Sequence, residues 1–319
     1  MRHILLVLCF AVTVIPAFAQ TYAERLGYSK GARLLIINSD DAGMSHATNL
    51  AIFESLEKGI TSSISIMAPT PWVPEVLDYY RKNPKVDVGA HLTLCSEWDF
   101  YRFMPVAGAG RVPSLADEMG CLHDNNKLFM EHAKPEEVET ELRAQIERLE
   151  KAGFKLSHID SHMWSLFQKP AFTEVYVKLA IEKQLAIRLV GDTSPEGFVA
   201  TAEPDTIEKC RPYVQRVWDA GLPVLDDMHT ESYSWKTEDK TALYADAIRR
   251  LRPGITEFVV HPTKPDDTID FITKHRILLY GDYYALTDPA ILEVIKVEGV
   301  QLVSWGELLE RRKAIKQER

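Results

Sequence analysis

Short apolar runs of strand length recur along the chain at 33–38, 62–67, 86–92, 155–160, 186–190, 222–226, 256–261 and 299–304, with amphipathic segments between them. The clearest helix is predicted at 135–152. Pro135 suits its first position, Glu136 and Glu137 its first turn, and Gly153 its stop. Val138, Leu142, Ile146 and Leu149 recur at helical spacing and give it one buried face. A second helix is predicted at about 46–58, after Ser45 as N-cap and before Gly59. Strand–helix alternation of this kind implies a parallel sheet. Seven or eight such units in one α/β chain favour a closed, TIM-like (β/α) barrel, expected as a single domain over residues 20–319.

The first residues stand outside that pattern. Met1-Arg2-His3 is a basic start, residues 4–18 are apolar, and Ala17-Phe18-Ala19 has small residues at the spacing of a cleavage site. This reads as a signal peptide over 1–19, too short for a spanning helix, and predicts an exported protein, periplasmic or secreted. The whole chain carries a formal charge of −9, and loss of Arg2 with the signal makes it −10. An acidic surface argues against nucleic acid and anionic membranes as partners, and no membrane insertion is expected. Cys95, Cys121 and Cys210 remain after cleavage. An odd number without paired spacing is a poor disulfide framework and a poor zinc-finger pattern.

Chemistry is expected at the C-terminal ends of the strands, where barrels of this kind place their functional groups. Asp40 and Asp41 follow 33–38, and His91 closes 86–92. His158, Asp160 and His162 lie in "SHIDSHMW", Arg188 interrupts "LAIRLV", Asp226, Asp227 and His229 follow "LPVL", and His261 follows "EFVV". Two adjacent carboxylates at the end of a core strand cost free energy through burial and repulsion, so they call for a counter-charge. On a strand, His158 and His162 would stand roughly 13 Å apart, too far to share one ion. His162, nearer the strand end, is the better ligand, with His158 either supporting it or filling the core. Asp41, His91 and His162 then make one carboxylate and two imidazoles with open positions, the pattern of a catalytic metal site. The turn at Ala42-Gly43 is expected to let Asp40 and Asp41 reach that site by different routes. Asp226, Asp227 and His229 are read as a polar loop. Trp98 and Trp164, after the histidine motifs, are read first as core or rim, with sugar stacking as the alternative.

"IINSDDAGMSHATNLAI", "GAHLTL", "HIDSHMW", "AIRLV" and "FVVHP", in that order from residue 36 to 262, resemble the YdjC/ChbG family of carbohydrate deacetylases. The resemblance implies a (β/α) barrel, often of seven strands, and metal-dependent removal of N-acetyl groups from acetylated amino sugars or oligosaccharides. It implies Asp41, His91 and His162 as ligands of a divalent ion, zinc or magnesium, and Asp40 as the base toward a water activated by that ion. His261 is the expected acid for the leaving amine, and Arg188 is expected to orient Asp40. Ala42 stands where the family motif usually carries Phe. Two other readings share the motifs: another metal-dependent esterase or amidohydrolase on the same barrel, or a glycan-binding protein without turnover. An intact Asp40 counts against the last, since a lectin has no need of a base. The sugar, its chain length and the oligomeric state have no signature in the sequence.

Overall fold

The computed structural model describes residues 20–191 and 204–317. The expected signal peptide therefore lies outside the described residues. Among the described residues, eight strands form one parallel sheet: β1 (Arg33–Ala42), β2 (Ser63–Ile66), β3 (Val88–Leu92), β4 (Leu156–Ser161), β5 (Ala186–Ile187), β6 (Asp227–His229), β7 (Gly254–Val260) and β8 (Gln301–Leu302). The order around the sheet is β5-β4-β3-β2-β1-β7-β6. Its two ends meet at a parallel bridge between Val190 and Leu225, where Leu225 N–H donates to Leu189 O at 3.0 Å and Gly191 N–H to Leu225 O at 2.9 Å. Seven strands thus make the ring. β8 stays off it, paired only with Leu34 and Leu35 at the foot of β1.

Two expectations shift. The run 222–226 forms only the bridge at Leu225, and the regular strand begins at Asp227. Pro223 lies inside that run, and without an N–H it cannot serve a ladder. The helix His46–Lys58 starts as expected, with Ser45 Oγ accepting the Thr48 N–H at 3.0 Å. It does not end on a left-handed glycine, because Gly59 has φ −107°. Glycine is needed there for space: an added Cβ would lie 2.1 Å from the carbonyl oxygen of Leu286.

The helix Pro135–Ala152 matches its reading, with Gly153 in the left-handed region at φ 114°. Burial of Val138, Leu142, Ile146 and Leu149 contributes about 1.5–3 kcal/mol for each side chain. The same helix buries Glu141 and Gln145. Glu141 accepts the Val106 and Ala107 N–H groups at 2.8 Å, and Gln145 accepts that of Thr93 at 2.9 Å. Both ends of the loop after β3 are therefore pinned to this helix. That loop carries Glu97 and Trp98.

The barrel interior is graded along its axis. Leu34 and Ile36 on β1 are buried in the main apolar core, while Leu35 and Ile37 pack into a second cluster with residues of helix Thr241–Arg249. Two residues further along β1, Asn38 reaches Ser65 Oγ on β2 at 2.8 Å and Asp160 on β4 at 3.5 Å. A contact from β1 to β4 is possible only across the barrel. The interior thus changes from aliphatic at the foot to polar at the C-terminal end of the strands.

Candidate active site

At that polar end, one cavity of about 290 Å³ is lined by Asp40, Asp41, His91, His162, Arg188 and His261, together with Glu97, Trp98, Trp164, Thr230 and Tyr233. All six expected site residues are gathered there.

Asp40 and Asp41 are separated by the backbone itself. The β1–β2 register breaks between Ser39 and Ala42, and Asp41 takes a left-handed conformation at φ 64°. The twist falls on Asp41, one residue earlier than the expected Ala42-Gly43 turn. Asp is among the few residues that tolerate this region. Gly43 follows at φ 93°, where an added Cβ would meet Val73 Cγ2 at 2.8 Å.

Asp41 Oδ1 lies 3.3 Å from His91 Nε2 and 3.5 Å from His162 Nδ1, and the two imidazole nitrogens are 3.1 Å apart. Three donor atoms on the ends of β1, β3 and β4 therefore converge on one point. Asp41 Oδ1 is buried and accepts no well-formed hydrogen bond among the described residues. Each ring is held from behind by a carboxylate: His91 Nδ1 by Asp160 Oδ1 at 2.5 Å, and His162 Nε2 by both Glu97 oxygens at 3.0 Å. An orphaned carboxylate oxygen and two imidazoles with their far nitrogens fixed are the arrangement that a divalent cation requires. The buried Asp/His group fits a metal.

The charges agree with this fit. Burial alone would raise the Asp41 carboxyl, and the adjacent His162 and His91 rings outweigh it, holding the group well below the usual carboxylate range. Burial would lower both histidines. The charges of Asp160 and Asp40 instead raise His91 well above its ordinary value, and Glu97 with Asp41 raises His162 to about 9. In each case the site has been built to hold positive charge.

Asp40 faces a different partner. Its two oxygens take a bidentate pair from Arg188, Nη1 at 3.0 Å and Nη2 at 2.8 Å. The same guanidinium reaches Asp160 Oδ2 at 2.9 Å and Glu257 Oε2 at 3.0 Å, with only 2% of its side chain exposed. Arg188 thus serves three buried carboxylates. Burial pushes Glu257 up to about 7 against the pull of Arg188, with the Asp40 and Asp160 charges adding to the rise.

His158 is not at the metal point. It is fully buried, with Nε2 3.1 Å from Ser65 Oγ and its ring stacked on Trp305 at 5.7 Å. Asp226 and Asp227 do not line the cavity either. Asp226 accepts the N–H groups of Tyr22, Ala23 and Ile255, tying the N-terminal helix to β7. Asp227 and His229 belong to β6 rather than to a loop, and Asp227 pairs with Arg252 at 2.7 Å. Trp98 lies 5.8 Å from the His162 ring, and Trp164, at φ 55°, turns into the cavity lining after Met163 at φ 53°.

Sequence reasoning missed Glu97, Glu257, Thr230 and Tyr233. Glu257 had a visible signal, a lone charge inside the apolar strand "GITEFVV". Glu97 sits on a loop, and Thr230 and Tyr233 belong to the 3₁₀ turn Glu231–Ser234 and its cap, where no spacing rule singles them out.

A family model described as YdjC-like protein matches residues 34–297. A carbohydrate deacetylase of Brevibacillus brevis is 36% identical over 277 residues, covering 86% of this chain and 99% of the relative. A carbohydrate deacetylase of Thermus thermophilus is 31% identical over 281 residues, covering 85% and 92%. Among solved structures, one from Enterococcus faecalis, described provisionally as a cellobiose-phosphate cleavage protein, superimposes with a TM-score of 0.73 at 25% identity, covering 87% of this chain and 99% of that one.

Proposed function

The chain belongs to the YdjC-like family, and from its geometry we propose that it is a metal-dependent carbohydrate deacetylase, hydrolysing the N-acetyl groups of acetylated amino sugars or their oligomers. The observation that carries this reading is the convergence of Asp41 Oδ1, His91 Nε2 and His162 Nδ1 within 3.1 to 3.5 Å of one another, beside an Arg-held Asp40.

A divalent cation bound by Asp41, His91 and His162 would act as a Lewis acid on the acetyl carbonyl and make water acidic enough to attack it. Asp40 takes the proton from the attacking water. Arg188 fixes the orientation of the Asp40 carboxylate at the cavity wall through its bidentate grip. Asp160 and Glu97 fix the tautomers of His91 and His162, so that Nε2 of the first and Nδ1 of the second present lone pairs. His261, at the end of β7 on the far side of β1 from β3 and β4, donates a proton to the departing nitrogen, which leaves as the amine. Trp98, Trp164 and Tyr233 give the cavity the flat apolar surfaces against which a sugar ring packs. One carboxylate and two imidazoles favour zinc among the divalent ions, with manganese, cobalt and nickel also suited and magnesium less so.

We also infer export, from the basic start, apolar segment and Ala17-Phe18-Ala19 site within residues 1–19. Among the described residues no helix is long and apolar enough to cross a membrane.

The test is acetate release from a panel of N-acetylated saccharides, after chelation and again after adding back zinc or magnesium. Metal-restored release from N-acetyl sugars supports the reading. Release confined to O-acetyl esters would make the chain an esterase on the same barrel, and binding without release would make it a lectin.

A further inference from the structure

We propose that the buried ion pair Lys240–Asp282 is a positioning pair for the proton-donor side of the cavity, fixing His261 and the wall formed by Thr230 and Tyr233; this rests on the reading of His261 as proton donor. Neither residue lines the cavity. Lys240 is fully buried at the start of helix Thr241–Arg249, and Asp282 is 1% exposed within helix Arg276–Thr287. Their contact, Nζ to Oδ1, measures 2.7 Å.

Every polar group of the pair is used, and each use ties down a different segment. The other two Lys240 donors go to the carbonyl oxygens of Ser232 at 2.7 Å and Leu278 at 2.8 Å. Asp282 Oδ1 also accepts the Tyr244 hydroxyl at 2.8 Å. Asp282 Oδ2 accepts the backbone N–H of His261 at 2.9 Å and lies 3.4 Å from the Ser232 hydroxyl. Ser232 sits between Thr230 and Tyr233 in the chain, so the pair grips the end of β7 and the wall that follows β6 at once. Close approach is built in at Gly281, where an added Cβ would lie 2.5 Å from Thr237 O and 2.9 Å from Lys240 Cε.

His261 needs such a clamp more than the other cavity histidines do. His91 and His162 have carboxylates behind their rings, whereas His261 Nδ1 is buried and has no hydrogen-bond partner among the described residues. What places its ring is the backbone held by Asp282 and the edge-on contact with Tyr233, 5.2 Å between ring centres. A buried ion pair adds little net stability over apolar side chains of similar size. What it supplies here is direction, a charge-assisted tie among segments far apart in sequence.

The test compares wild type with Lys240→Met/Asp282→Leu, which removes both charges together and so avoids stranding one. Metal content, KM and kcat are measured on an N-acetylglucosamine disaccharide, and the His261 imidazole signal is followed by NMR, assigned with His261→Ala. The expected variant folds, keeps its metal, shifts KM little, loses kcat by about 10- to 100-fold as misplacement of a reacting group does, and shows a broadened or split His261 signal. A folded variant with wild-type kcat and a single His261 signal overturns the proposal. If the double variant does not fold, Lys240→Gln/Asp282→Asn, which also removes both charges but keeps polar side chains of similar shape, carries the same comparison. Wild-type protein that releases no acetate defeats the functional reading instead, and the positioning role is then judged on the His261 signal.

Discussion

Replacing Arg188 with Met should produce a protein whose stability falls as pH rises. The guanidinium is the counter-ion of Asp40, Asp160 and Glu257, which it meets at 2.8 to 3.1 Å, and all three carboxylates are buried. Removing one partner of a buried pair costs about 3–5 kcal/mol, a large share of the roughly 5–15 kcal/mol that holds a domain together. Here one deletion strands three anions. The sign with pH follows from linkage. In the wild type Glu257 is already raised to about 7, so its contribution to stability is complete below the ordinary glutamate range and is lost as pH climbs through 7. Asp160 is held below its ordinary value against burial, chiefly by the charge of Arg188, so its contribution is present at neutral pH and lost only in strong acid. Without Arg188 both carboxyls rise, and both then favour folding at acidic pH. The gap between variant and wild type should widen by roughly 1.4 kcal/mol per pH unit for each carboxyl that must ionise. Urea unfolding of chelated protein, followed by tryptophan fluorescence at pH 5.5 and 8, measures this directly. A loss below about 1 kcal/mol at pH 8 would refute the reasoning, and so would an equal loss at both values.

The adjacent carboxylates should fail differently: Asp41→Asn loses metal by elemental analysis, while Asp40→Asn keeps it and loses about 10²–10⁴-fold in kcat. Equal metal loss in both would mean the pair ligates jointly, with Asp160 the next base to test. Protons compete with metal for His91 and His162, the latter raised to about 9, so apparent zinc affinity should climb up to about pH 9 by roughly tenfold per unit for each proton displaced, read by competition with a chromophoric chelator. A flat affinity would remove those rings from the ligand set. Among the described residues, Arg188 is the one lysine or arginine on the cavity wall, and three carboxylates already occupy it. A phosphorylated amino sugar should therefore show kcat/KM at least about tenfold below its neutral counterpart, because a further anion beside Asp40, Asp41 and Glu97 is repelled. Equal turnover of the two would refute that charge argument.

The architecture was legible because strands covered on both faces read as unbroken apolar runs, and each polar interruption then marks a strand end. Helix Pro135–Ala152 was legible for a similar reason, its stop and its buried face both being local. His162 could be preferred to His158 from strand rise alone, and the structure places His158 against Ser65 and Trp305 instead. Glu97 was hidden because its loop is aimed by Glu141 and Gln145 from a helix some forty residues away, a tie no local pattern encodes. Lys240 and Asp282 were hidden likewise, since each looks like an ordinary surface charge until the fold buries it. Glu257 stood in plain sight, but a lone charge in a strand does not name its partner.

The two carboxylates at the end of β1 are tolerated by division. A left-handed Asp41 turns its carboxylate toward two imidazoles, while Asp40 keeps the strand direction and meets Arg188. Each anion therefore has its own principal source of positive charge, Arg188 for Asp40 and the two imidazoles for Asp41, although Asp40 Oδ2 also lies 3.8 Å from His91 Nε2. A substitution of Asp41 by a β-branched residue would abolish that division twice over, removing the ligand and forbidding the backbone that separates the pair.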